Sequence, residues 1–277
     1  MDKTTATPKN GAEKPVIDYH VHTRLCNHAN GTMEQYIQHA IEKGLSEICF
    51  LDHLTLDEKG CDLSMGPDDV PLYLYAVRRL GDIFQDRIKV RAGLEVDFSP
   101  AHAETACKIL ERFSFDVIGG SIHFVDDANI VSSKRNGNGS FQPDTAFYDR
   151  YLDLIDMMLD YSCFDVICHL DVVKKFGNHP PIDFFDKMDA ILTKIKSKNV
   201  VIEINTSGLS HPANAVYPDP KILKRCFEKN IPFTFGSDAH RPEQVGRNFK
   251  DAVNLLQQAG YRHITGFSRQ NRHEIAI

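Results

Sequence analysis

Tryptophan is absent from the 277 residues, and so is any long apolar run. Without roughly 18 consecutive apolar residues there is no membrane-spanning helix to expect. Basic residues form no stripe. Arg78-Arg79 and Lys174-Lys175 are isolated pairs, and the formal net charge is −6. Nucleic-acid binders ordinarily carry a basic patch, so neither nucleic acid nor membrane is expected as a partner. Seven cysteines occur (26, 49, 61, 107, 163, 168 and 226), never as CxxC. Cys49 and Cys168 lie in apolar, strand-like runs, where a thiol acts as a small core group. No disulfide scaffold is expected at this length, so the cysteines read as reduced and the protein as cytoplasmic. Residues 1–14 are polar, lack the apolar segment of a secretory signal, and read as a frayed tail before a single domain over 15–277. Nothing in the sequence sets an oligomeric state.

What is present is a regular alternation. Mostly apolar runs at 16–20, 47–53, 89–98, 115–124, 164–171, 200–206 and 232–238 have the pattern of strands buried on both faces. Between them lie segments of helical periodicity, at 72–84, 102–113, 145–159, 184–195, 220–227 and 242–258. A further helix opens on the capping box Thr32-Met33-Glu34-Gln35, carries Ile37, Ala40 and Ile41 on one face, and closes at Gly44. Alternating strands and helices imply parallel strands joined by right-handed crossovers. Seven units predict an α/β fold, a closed or nearly closed barrel one unit short of the usual eight, with a doubly wound open sheet as the alternative. Asn136-Gly137-Asn138-Gly139-Ser140 reads as a loop after the fourth strand.

The chemistry lies at the strand ends. His20 and His22 close the first strand, His53 the second, Glu95 the third, His123 the fourth, His169 the fifth, and Asp238 with His240 the seventh; His28 follows the first strand. In a parallel barrel these ends meet on one rim, the face that carries barrel active sites. His39, His102, His179, His263 and His273 fall on helical or terminal segments and read as structural. Neutral imidazole and ionised carboxylate suit Zn, Mn or Fe, and thiolates are not expected among the ligands. His20 and His22, two residues apart on a strand, point to one side and can share a cation. Nine such groups exceed what one ion needs, so a multinuclear site is expected.

These residues, in this order, resemble the PHP (polymerase and histidinol phosphatase) family. The motifs are Asp18-Tyr19-His20-Val21-His22-Thr23, Leu51-Asp52-His53, Gly93-Leu94-Glu95, Gly120-Ser121-Ile122-His123, His169-Leu170-Asp171 and Gly236-Ser237-Asp238-Ala239-His240. The resemblance implies a distorted seven-stranded, TIM-like (β/α)7 barrel holding three divalent metal ions. It implies that His20, His22, Glu95 and Asp238 surround the first, that Glu95 bridges to a second held by His123 and His169, and that His28, His53 and His240 hold the third. Within the family the chain looks most like stand-alone histidinol-phosphate phosphatases. It departs from them after Leu209, where a basic residue is common and this chain has Ser210-His211-Pro212.

The expected reaction is hydrolysis of a small phosphate monoester by attack of a hydroxide shared between metals. Coordination lowers the pKa of water from 15.7 towards about 7. Glu95, Asp238 and His240 are the expected catalytic residues, with Lys134, Arg135, Asp171, His211 and Arg241 as candidates for binding substrate. Asp52 is expected to orient a ligand imidazole, and Asp18 either to support a ligand or to pack at the rim. Nucleotides or other small phosphate esters are the alternative substrates. An amidohydrolase-type enzyme also opens with HxH, but such enzymes commonly need a carboxylated lysine on strand four, where this chain has His123.

Overall fold

The computed structural model describes residues 16–132, 143–181 and 183–277. The tail, the glycine-rich stretch at 136–140, and Lys134 and Arg135 lie outside the described residues.

Hydrophobic periodicity becomes architecture directly. Strands β1 (Ile17–Val21), β2 (Glu47–Leu54), β3 (Lys89–Asp97) and β4 (Val117–Ser121) are followed by a small hairpin, β5 (Phe124–Val125) with β6 (Ala128–Asn129). Then come β7 (Val166–Ile167), β8 (Val201–Asn205) and β9 (Phe233–Gly236). Among the described residues seven strands form one sheet in the order β1-β2-β3-β4-β7-β8-β9, every pair parallel. A parallel bridge between Val21 and Ala239, with the His22 N–H donating to the Ala239 carbonyl at 3.0 Å, joins the last strand to the first. The TIM-like barrel is therefore the architecture, and the open sheet is not.

Helices α1 (Met33–Glu42), α2 (Val70–Phe84), α3 (Ala103–Leu110), α4 (Thr145–Met158), α5 (Phe184–Ser197) and α6 (Pro220–Glu228) fill the crossovers, and α7 (Phe249–Ala259) follows β9. In α1 the Thr32 side chain accepts from the Gln35 N–H while the Gln35 side chain accepts from the Thr32 N–H. Tyr36, Ile37 and Ala40 face the sheet, and Gly44, at φ +72°, turns the chain back. Each fully buried aliphatic or aromatic side chain contributes about 1.5–3 kcal/mol, so these stripes dock the helices. No helix among the described residues is long and apolar enough to cross a membrane.

Two expectations are corrected, and one element was not foreseen. The helix expected over 242–258 is broken: a 3-10 turn at Pro242–Gln244 precedes α7, with Gly246 and Asn248 at φ +60° and +57° between them. The barrel draws this segment inward, because the Gly246 N–H donates to Asp18 and the Arg247 carbonyl accepts from Thr206 Oγ1. The unforeseen element ends the chain, an antiparallel hairpin of β10 (His263–Ser268) with β11 (Asn271–Ala276). Its turn, Arg269-Gln270, has positive φ at both residues, held by bonds from their N–H groups to Asp116. Neither is the glycine or asparagine that marks such a turn in a sequence. The second correction is that not all cysteines are reduced. Cys107 and Cys163 form a disulfide, while Cys26, Cys49, Cys61, Cys168 and Cys226 are free.

Candidate metal centre

β3 carries Glu95 to the rim, where it is 1% exposed. Its two oxygens face two different sets of imidazoles. Oε2 lies 3.2 Å from His20 Nε2, 3.7 Å from His22 Nε2 and 3.0 Å from His53 Nδ1. Oε1 lies 2.8 Å from His169 Nε2 and 3.4 Å from His123 Nε2, and accepts from Ser121 Oγ. Asp238 completes the first set, with Oδ1 3.1 Å from His22 Nε2 and Oδ2 accepting from Ser207. His240 stacks on His22 at 4.0 Å between ring centroids, and its Nε2 faces His28 Nε2 at 2.8 Å. The His53 ring lies 5.3 Å from His28 and 6.0 Å from His240. All nine expected ligands thus meet at one mouth.

Hydrogen bonds leave part of this geometry unexplained. His20 Nε2 and Glu95 Oε2 are buried without hydrogen-bond partners. Several triads place their donor atoms within 4.8 Å of one another, among them His20-His22-Asp238 and His22-His53-His240. The residues fit divalent metal ions. Protonation follows the same logic. Burial raises Glu95, yet His20, His53 and His123 outweigh it and hold the carboxyl well below its usual range. Burial pushes His53 down to about 4 and His240 well below its ordinary value. Burial also depresses His22, but bonds to Asp238 and Asp52 reverse this and lift it to about 9.

Carboxylates stand behind the histidines. Asp52 accepts from the Thr23 N–H at 3.1 Å and lies 3.3 Å from Nδ1 of His22, not beside the ring of its neighbour His53. Asp18 ties β1 to the β9 loop through Ser237 and Gly246 rather than to an imidazole. Two such acids were missed. Asp97 accepts from the His123 N–H at 3.0 Å and lies 3.5 Å from its Nδ1; Glu203 lies 2.6 Å from His20 Nδ1. For Glu203 the available signal was an acid inside a largely apolar strand. Thiols also come nearer than expected: Cys26 stands with His28 and His240, and Cys168 with His20 and Glu95, both within that 4.8 Å limit.

The expected substrate residues divide. Asp171 does not join the cluster: it pairs with Lys174 Nζ at 2.8 Å, accepts from the Asp219 N–H at 2.9 Å, and lines a separate cavity. Arg241 is exposed beyond His240. His211 is half-buried near Lys175, Asp238 and Arg247, and burial with the Lys175 charge lowers it to about 4. Lys175 and Arg247 were not foreseen. Burial depresses the Lys175 ammonium against the pull of Asp238 and Glu95, and Arg247 donates to the carbonyls of Ser237 and Asp238 at 3.0 and 3.3 Å. Lys175 sits in a lysine pair that looked like a solvated surface.

A profile described as "PHP domain" matches residues 18–207, and one described as "PHP-associated" matches residues 221–249. The chain belongs to the PHP family. A probable histidinol-phosphatase of Deinococcus radiodurans is 34% identical over 260 residues, covering 90% of this chain and 96% of the relative. A histidinol-phosphatase of Lactococcus lactis is 26% identical over 259 residues, covering 91% and 94%. The solved histidinol phosphate phosphatase of Lactococcus lactis, complexed with zinc, L-histidinol and phosphate, superimposes with a TM-score of 0.82 at 22% identity, over 93% of this chain and 98% of that one. The seven-stranded PHP barrel is thus common to both folds.

Proposed function

We propose that this PHP protein is a phosphoric monoester hydrolase that releases phosphate from histidinol phosphate with three divalent metal ions. The observation that carries the reading is the division of the Glu95 carboxylate between two histidine sets. The names of its relatives in Deinococcus radiodurans and Lactococcus lactis support the substrate. His20, His22, Glu95 and Asp238 would hold one ion, Glu95, His123 and His169 the second, and His28, His53 and His240 the third. Such ions, when bound, supply water of lowered pKa and neutralise charge on phosphoryl oxygens.

The chain's own residues do the rest. Glu95 keeps the two histidine sets in register. Lys175 and Arg247 offer positive charge to the substrate phosphate, with the half-buried His211 imidazole beside them. Asp238 and His240 stand at the mouth, with side chains 20% and 26% exposed, where a proton can pass between solvent and the leaving alcohol. Asp52, Asp97 and Glu203 fix the rings of His22, His123 and His20.

The test is phosphate release by metal-replete enzyme from histidinol phosphate, nucleotides and sugar phosphates, with metal analysis alongside. Preferential release from histidinol phosphate is expected. Turnover of nucleotides with none of histidinol phosphate would remove the substrate, and silence on the whole panel would remove the reaction class.

A further inference from the structure

Glu203 lies in the middle of β8 and is 1% exposed, yet it belongs to none of the three ligand sets. A buried carboxylate is costly unless its lone pairs are used. Here they are used on the metal centre. Oε1 lies 2.6 Å from His20 Nδ1, while Oε2 accepts from the His169 backbone N–H at 2.7 Å and from Asn205 Nδ2 at 3.1 Å. The two histidines it touches belong to different sets, since His20 faces Oε2 of Glu95 and His169 faces Oε1. One glutamate thus meets this pair of ligands from the front, and the other holds it from behind.

Two consequences follow. An imidazole whose Nδ1 is bonded to a carboxylate keeps its proton there, leaving the Nε2 lone pair for a cation and making it more basic. His169 has φ +27°, a conformation that non-glycine residues rarely adopt. The charge-assisted bond from its N–H to Glu203 holds that conformation, from which Nε2 reaches Glu95.

We propose that Glu203 is a positioning residue that presets His20 and His169 for two different metal ions at once, without ligating either. The inference rests on the reading of His20 and His169 as metal ligands. It concerns metal binding and not substrate, so it can be tested without turnover.

The experiment compares the full-length wild type with Glu203→Gln, which keeps the size and an acceptor but removes the charge. Both are stripped with a chelator. Their melting is recorded, and zinc is titrated back against a competing chelator, with cobalt(II) absorption as a second signal of ligand geometry. The expected result is an unchanged melting curve for the stripped variant, with zinc affinity about 10–100-fold lower and an altered cobalt spectrum. Wild-type zinc affinity in the variant overturns the proposal. So does a stripped variant that no longer folds, because the role would then be packing alone. A wild type that takes up no metal would sink the ligand reading as well, and this separates the two failures.

Discussion

Gly236 lies directly against Glu203: a Cβ built on it would collide with Oε1 of that carboxylate and come within 2.6 Å of the His20 Cβ. The last strand approaches the first closely enough to close the barrel only because residue 236 has no side chain. Gly236→Ala must push Glu203 and His20 apart. Overpacking of this kind costs about 1–3 kcal/mol, so a lower melting temperature is expected together with lower zinc content at equal zinc supply. A variant that melts lower but retains full zinc would separate barrel closure from the metal centre.

On the proposed function, two ions depend on Glu95. Glu95→Gln leaves one oxygen, and its amide nitrogen cannot ligate. Elemental analysis is expected to show fewer bound ions, and phosphate release is expected to fall by at least about 100-fold, in line with loss of a main electrostatic contributor. Stripping the wild type with a chelator should abolish activity, and zinc, manganese or iron should restore it; the variant should not recover. Full activity in Glu95→Gln would refute the bridging role.

Lys175 and Arg241 test where the substrate phosphate sits. Lys175 is partly buried within the field of Asp238 and Glu95, whereas Arg241 is exposed. A hydrogen bond to a charged group contributes about 1.5–3 kcal/mol, so Lys175→Gln should lower kcat/KM by roughly 10–100-fold at unchanged metal content. Arg241→Ala should change it only a few-fold. The opposite ranking would move the phosphate subsite out to the rim loop.

Much of this was legible because a parallel barrel converts order along the chain into position on a rim. The endings of seven apolar runs were enough to bring His20, His53, Glu95, His123 and His169 together. What stayed hidden depends on side-chain reach across strands. Glu203 looks like one acid in Val201-Ile202-Glu203-Ile204-Asn205, and its value comes from a histidine 183 positions away. Asp171, two residues after the motif histidine His169, turns to Lys174 instead, a choice set by the local 3-10 turn at Val172–Lys174. The C-terminal hairpin was missed because Arg269-Gln270 takes its conformation from bonds to Asp116, not from turn-forming residue types.

Glu47, at the opposite end of the strands, anchors that hairpin and makes a prediction about stability. Its carboxylate is 2% exposed and accepts from Tyr19 Oη at 2.8 Å and Arg91 Nε at 2.8 Å, with His273 Nε2 at 3.0 Å. Burial raises its pKa, but Arg91, Tyr19 and His273 together bring it below the ordinary value of 4.5. A carboxyl depressed on folding adds stability that is present above its unfolded pKa and lost as pH falls through the folded one. Glu47→Gln should therefore destabilise the protein by about 1.5–3 kcal/mol at neutral pH, the scale of hydrogen bonds to a charged group. The gap between wild type and variant should narrow as pH drops below about 4.5, because protonation does to the wild type what the substitution has already done. Denaturant unfolding of metal-stripped samples across that range measures it. A gap independent of pH would mean that Glu47 stabilises the hairpin by packing, and not by its charge.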